Sequence, residues 1–331
     1  MKKLSWLTLI FVSLFSQPMF AANDHVFAYT SFDEEIAQKY VAAFQKETGI
    51  KVSFVRLSTG EAIARIEAEK ANPQASIWLG GVGLGHAEIK DKGLSVPYLA
   101  PAAASLLAKY RDPEGYWNGL YLGILSFAYN KDLLKKKNLT PPEKWSDLLD
   151  PKWKGSIQIP NPGTSGTSYN LITTLIARDG EDKAFSYLHD LHKNISQYTR
   201  SGSAPAKNVA LGEALVGIGY AHDIFRLMFE LKSSLGLIYP KDGTGYEVAA
   251  MSLIKGGKDI EVAKKLVDWS YTKTASQILA DHYIIPLKTA GVKFRQEAVY
   301  PKDLKLIDSD INWAGKNKQR LIEVWNERVN H

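Results

Sequence analysis

The chain has 331 residues, 45% of them apolar, a net charge of +6 and no cysteine. Without cysteine there is no disulfide, thiolate nucleophile or cysteine metal site, so the core alone must hold the fold. The basic residues are scattered among acidic ones rather than gathered into a stripe, which argues against a nucleic-acid binder.

The chain opens with MKK, the apolar run LSWLTLIFVSLFS and then QPMFAA before a polar start at Asn23. This order is that of a secretory signal peptide over residues 1–22, cleaved after Ala21 or Ala22. The run is shorter than the roughly 20 apolar residues a membrane-spanning helix needs, so an exported protein is expected. The roughly 310 residues that remain fit two domains, and their net charge is +4 once Lys2 and Lys3 are gone. A mildly positive body suits an anionic small ligand.

VFAYTSF (26–32) reads as a strand, and DEEIAQKYVAAFQKETG (33–49) as a helix with acids at its start and Gly49 at its stop. KVSFVRL (51–57) alternates like a strand. STGEAIARIEAEKANP (58–73) opens with Ser58 and Glu61 at capping-box spacing. ASIWLGG (75–81) is a third strand, and GGVGLGH (80–86) is a Gly-rich strand end near a cleft with His86 at the surface. Strand and helix alternating in this rhythm predict a parallel α/β sheet.

The texture changes near residue 120. LYLGILSFAYNK (120–131) is a long extended run, followed by a Lys-rich helix. GSIQIP (155–160) is a strand, and 168–180 and 181–194 are helices. ISQYTR (195–200), 201–214 and LVGIGYAHD (215–223) give strand, helix and strand, then 224–236 is helical. YEVAAMSLIKGG (246–257) is a second long run, and 259–331 is mostly helical with a break at YIIPLK (283–288). The layout predicts two α/β units, with chain crossings in the two long runs and a ligand cleft at the carboxyl ends of the strands.

Four turns recur at those ends: Tyr29-Thr30-Ser31, Ser58-Thr59-Gly60, Gly163-Thr164-Ser165-Gly166-Thr167 and Ser201-Gly202-Ser203. Each offers hydroxyls and backbone N–H groups at a helix start, where an anion is held without Lys or Arg. Ser and Thr also cap helices with no ligand at all, but four such turns in one fold favour an anion cradle. At a further strand end, His222 and Asp223 suit sugar hydroxyls, and Asp223 suits equally the cap of the following helix. Glu247, on an apolar run, is either ligand-facing or paired with a base.

Enzyme motifs are missing. There is no G-x-S-x-G elbow for a hydrolase, no lysine follows GTSGTS as in a nucleotide-binding loop, and the histidines lack metal spacing. An exported phosphoester hydrolase stays as the reading from another class.

WSDLLDPKWKGSIQIPNPGTSGT (145–167), TRSGSAPAKNVALGEALVGIGYAHD (199–223) and GYEVAAMSLIKGGKD (245–259), together with the signal peptide, resemble extracellular solute-binding proteins of ABC importers. The resemblance covers essentially the whole mature chain and is closest to the ferric-iron-binding-protein-like group. It implies an α/β fold of the type II periplasmic-binding-protein kind, two lobes joined by two crossing strands. The lobes would be 23–123 with 247–290, and 124–246, with C-terminal helices over 291–331. It also implies a monomer that is no enzyme, needs no cofactor or metal, and hands a small anionic ligand to a permease and its ATPase. Ferric-ion binders of this group use adjacent tyrosines, and no Tyr-Tyr pair occurs here, so iron is disfavoured. What remains resembles the AfuA-type hexose-phosphate-binding branch, with aminoethylphosphonate binders nearby. Carried over, the resemblance places phosphate on Ser31, Ser58, Thr59, Thr164, Ser165, Gly166 and Thr167, and sugar hydroxyls on His222, Asp223 and Glu247.

Overall fold

A computed structural model describes residues 25–301 and 303–329; the expected signal peptide lies outside the described residues. In chain order, β1 (His25–Thr30), α1 (Glu34–Thr48), β2 (Lys51–Arg56), α2 (Thr59–Ala68) and β3 (Ile77–Val82) form the first α/β unit. Their bounds follow the sequence signals closely. Gly49, at φ 75°, ends α1 in the left-handed conformation that glycine adopts at least cost. The Ser58 N–H donates to Glu61 Oε2 at 3.0 Å, the reciprocal half of a capping box.

A helix not foreseen from the sequence follows at once, α3 (Gly83–Asp91), then the short β4 (Ser95–Val96). Its glycines gave it poor helix propensity. It forms because Leu84, Ala87 and Ile89 are buried and because Gly315, on the last helix, lets that helix lie directly on Ala87 and Glu88. His86 on α3 corrects the expectation of a surface histidine. It is fully buried, stacks on Trp78 with ring centroids 3.9 Å apart, and its Nε2–H donates to the Gly80 carbonyl at 3.0 Å. Burial pushes its pKa down to about 3.

The first long run is β5 (Asn118–Asn130), followed by α4 (Lys131–Lys136), β6 (Ile157–Pro160), α5 (Gly166–Asp179), α6 (Glu181–His192) and β7 (Ile195–Thr199). Then come α7 (Ala204–Leu211), β8 (Val216–Tyr220), α8 (Ala221–Phe229), β9 (Leu235–Ile238) and the second long run, β10 (Thr244–Ile254). Two sequence expectations shift here. His222 and Asp223 stand in the first turn of α8 rather than at the end of a strand, and α8 stops at Phe229. The chain closes with α9 (Ile260–Trp269), α10 (Lys273–Asp281), β11 (Ile285–Pro286), β12 (Leu306–Ile307) and α11 (Ile311–Arg328). Within 291–329 the described residues hold one α-helix, not several.

The strand order β2-β1-β3-β10-β5-β8-β6-β7 makes one continuous path. β1 pairs parallel with β2 and β3, and β6 pairs parallel with β7 and β8, as expected of alternating α/β units. The long strands join the halves in antiparallel fashion. β5 pairs with β10 over its first half, up to Ile124, and with β8 from Leu125 onward. One core packs Phe32, Tyr40, Phe44 and Trp269 around α1, α9 and β1–β3. The other packs Phe127, Trp145, Trp153, Phe185 and Trp325 around α5, α6 and α11. α11 also reaches α3 of the first half through the buried pair Lys318–Glu88, 2.9 Å. The two halves thus meet along one cleft, with the starts of α2, α5, α7 and α8 turned toward it.

Candidate functional site

A cavity lies between the halves, walled by residues of both. Nine of the ten residues singled out from the sequence line it: Ser31, Ser58, Thr59, Ser165, Gly166, Thr167, His222, Asp223 and Glu247. Thr164 does not. Its hydroxyl donates to the Arg200 carbonyl at 3.0 Å, and its own carbonyl accepts from the Gly60 N–H at 2.9 Å across the cleft. Thr164 is therefore a closing contact between the halves.

The lining falls into two groups. In the first, α2 and α5 point their N-termini at one another. A Cβ on Gly166 would sit 2.6 Å from Thr59 Oγ1, which measures how near the two helix starts lie. Ser165 at the N-cap of α5 makes no capping hydrogen bond, and the first helical N–H to find a carbonyl is that of Tyr169. The N–H groups of Gly166, Thr167 and Ser168 are left without intrahelical partners, as geometry requires of any helix start. With the hydroxyls of Ser58, Thr59, Ser165 and Thr167 they form a nest of neutral donors under a positive helix end. Ser31 Oγ accepts from the Trp78 indole at 3.0 Å, which frees its own hydrogen for another acceptor. Gly81 takes φ 87°, and a Cβ there would lie 2.9 Å from Ser31 Oγ, so glycine is required beside that hydroxyl.

The second group is acidic and aromatic. Glu247 on β10 stands opposite Gly123 on β5, and a Cβ on Gly123 would come within 2.6 Å of Glu247 Oε1 and 2.8 Å of His222 Cε1. The missing side chain is the space in which carboxylate and imidazole meet. Burial raises the pKa of Glu247 well above the carboxylate range, and the charge of Asp223 adds to the rise. Burial likewise raises Asp223 and lowers His222. His222 Nε2 lies 4.0 Å from Asp223 Oδ2, and the imidazole stacks on Tyr220. The Tyr220 hydroxyl, between Thr167 and Glu247, has no hydrogen-bond partner of good geometry although it is buried. An orphan donor of this kind costs about 1–3 kcal/mol unless something binds it.

Several lining residues escaped the sequence reading: Asp33, Arg56, Tyr121 and the space beside Gly123. Arg56 had a usable signal. On β2 it is in phase with Val52 and Phe54, the inward side of an alternating strand. Its Nη1 donates to Ser58 Oγ at 3.1 Å, so the cradle of neutral donors has a guanidinium at its edge. Asp33 read only as an acid at a helix start.

The model for bacterial extracellular solute-binding proteins matches residues 86–312. An uncharacterised protein of Haemophilus influenzae is 36% identical over 318 residues, 93% of this chain and 91% of its own length. A putative 2-aminoethylphosphonate-binding periplasmic protein of Salmonella typhimurium is 28% identical over 249 residues, 70% of this chain and 68% of that protein. Among solved structures, the periplasmic binding protein AfuA from Actinobacillus pleuropneumoniae, with exogenous fructose 6-phosphate bound, superposes with a TM-score of 0.88. It is 37% identical, with 92% of this chain and 98% of that chain covered. With sequence and fold agreeing, the chain belongs to the bacterial extracellular solute-binding proteins, as the solute-binding component of an ABC importer with the type II periplasmic-binding-protein fold.

Proposed function

We propose that the protein binds a hexose phosphate in the periplasm and delivers it, chemically unchanged, to its permease. The observation that carries this reading is the division of the cavity. Neutral hydroxyls from α2 and α5 and the free N–H groups that start α5 make one part, and His222, Asp223 and Glu247 make another. The first suits a phosphate, whose oxygens only accept. The second suits hydroxyls, which both donate and accept and so can pair with an imidazole and with carboxyls in either protonation state. The fructose 6-phosphate held by the AfuA structure supports the same chemistry.

A thermal-shift panel of glucose 6-phosphate, fructose 6-phosphate, aminoethylphosphonate, inorganic phosphate, free glucose and ferric citrate tests it. At a hundredfold excess over Kd, binding adds about 2.7 kcal/mol, a rise in Tm of several degrees for a chain of this size, at about 2–4 °C per kcal/mol or a little less. Hexose phosphates should shift Tm most and free glucose least; a shift with ferric citrate alone overturns the reading. Free phosphate released on prolonged incubation would indicate a hydrolase instead.

A second reading, an aminophosphonate ligand, has one observation in its favour: the adjacent carboxyls of Asp223 and Glu247 could hold an ammonium. Asp223→Asn separates the two. It keeps an acceptor oxygen, so glucose 6-phosphate should lose about tenfold or less. An ammonium ligand would lose a charge-assisted bond, roughly twice as strong as a neutral one, and about a hundredfold in affinity. Calorimetric titration of both ligands into both proteins reads the difference.

A further inference from the structure

Asp33 is the one acid of the cavity wall that the ligand reading leaves unused. It lines the inner cavity and also an outer vestibule, together with Arg56 and Ser203, and so stands at the mouth between the two spaces. It precedes α1 in the first half of the molecule, yet its partners are in the other half. Arg226 Nη2 on α8 donates to Asp33 Oδ2, Lys207 Nζ on α7 lies 3.5 Å from the same oxygen, and the Ser203 hydroxyl donates to Oδ1 at 3.3 Å. Both members of the main pair are nearly covered, with side chains 13% and 10% exposed. Burial opposes the charge on Asp33, but Lys207, Arg226 and Arg56 outweigh it and hold the carboxyl ionised.

We propose that Asp33 is the latch of the closed cleft: its bonds to Arg226, Lys207 and Ser203 seal the cavity mouth and set how long a ligand stays inside. The physics suits a reversible device. Closing buries the charges at a desolvation cost that nearly cancels their attraction, so the pair fixes the register of the halves without locking them shut. When the halves part, each charge regains water, and Arg226 and Lys207 are released to draw in the next anion. Glu35, beside Asp33 on the first half, lies 3.8 Å from Arg226 Nη1 and adds a looser, more exposed contact to the same guanidinium at the rim. Of the other pairs between the halves, Arg200–Glu61 lies on a far more exposed arginine and contributes less, as surface pairs do, and the buried Lys318–Glu88 lines neither the cavity nor its vestibule.

The inference rests on the cavity being the ligand site, but not on which ligand enters. The chain has no cysteine, so labels can be placed at will on Ala68→Cys and Leu211→Cys, exposed positions on α2 and α7. Pulsed electron-spin distances on the ligand-free protein should show a short, closed population at low salt. That population should shrink at about 1 M salt, where screening acts within about 3 Å. Asp33→Asn should lose most of it at both salt concentrations. Arg226→Met, which removes the partner from the opposite side, should do the same, and the double variant should be no more open than either single one. In stopped-flow release of glucose 6-phosphate, Asp33→Asn should raise koff at least tenfold and leave kon within about threefold, as loss of a buried charge pair does. An unchanged distance distribution in Asp33→Asn, or an unchanged koff, overturns the latch. Failure of wild-type protein to bind glucose 6-phosphate would instead refute the ligand reading, and the spin distances would still decide the latch.

Discussion

Gly60→Ala should make the ligand-free protein more stable and a much weaker binder. Gly60 is in the first turn of α2 with an ordinary helical backbone, where alanine is favoured over glycine by about 1 kcal/mol. In the closed molecule a Cβ at this position would lie 2.9 Å from Thr164 Cα and still closer to the Gly163 carbonyl oxygen, both backbone atoms of the opposite half. Neither can rotate away as a side-chain tip could, so the halves must stay apart. The bond from the Gly60 N–H to the Thr164 carbonyl is lost with closure. Affinity for glucose 6-phosphate should fall at least a hundredfold, about 2.8 kcal/mol, while the Tm without ligand holds or rises. Calorimetry and thermal denaturation on the same preparation check both signs. A variant that binds as wild type would mean that the ligand is held without the closure described here.

Glu247→Gln should remove a pH dependence and spare binding, whereas Glu247→Ala should abolish most of it. The Glu247 carboxyl titrates well above its ordinary value because it is buried, with Asp223 close by. An acid whose folded pKa is raised keeps its proton in the folded chain after the unfolded chain has lost it. Stability is therefore intact below about pH 4.5 and declines as pH rises from there to the folded pKa, by up to about 1.4 kcal/mol per pH unit. Glutamine copies the shape of the protonated acid and cannot ionise. The variant should match wild type in acid and exceed it at pH 8 in denaturant midpoint. A ligand hydroxyl facing glutamine still finds donor and acceptor, so hexose-phosphate affinity should stay within about tenfold. Facing alanine, it is buried unpaired at a cost of about 1–3 kcal/mol. Identical pH profiles for wild type and Glu247→Gln would show that Glu247 ionises freely.

Much of the site was legible because its chemistry is local. Hydroxyl-rich turns directly before helices can be read from Ser58-Thr59 and Ser165-Gly166-Thr167 without knowing where the helices go, since a helix start exposes donors wherever it lies. His222, Asp223 and Glu247 were visible as polar residues interrupting apolar runs. Thr164 shows the limit of that reading. Its neighbours line the cavity, but one residue's change of direction turns its hydroxyl to the Arg200 carbonyl. α3 shows another limit, since a glycine-rich stretch with weak propensity becomes helical when tertiary packing covers it.

The sequence by itself determined the alternation of strands and helices, the two long crossing strands and the hydroxyl-rich turns at the helix starts, because periodicity and capping act within a few residues. Only the tertiary structure decided which turns share one cavity, because α2 and α5 face each other through a sheet path that links residues over a hundred positions apart. It alone gave Gly60 and Gly123 their meaning, since a missing Cβ matters only where another backbone or a carboxylate fills the space. It alone turned Asp33 from a helix-start acid into a bridge between the halves, because a carboxylate's role is set by the cations that come within reach once the chain has folded.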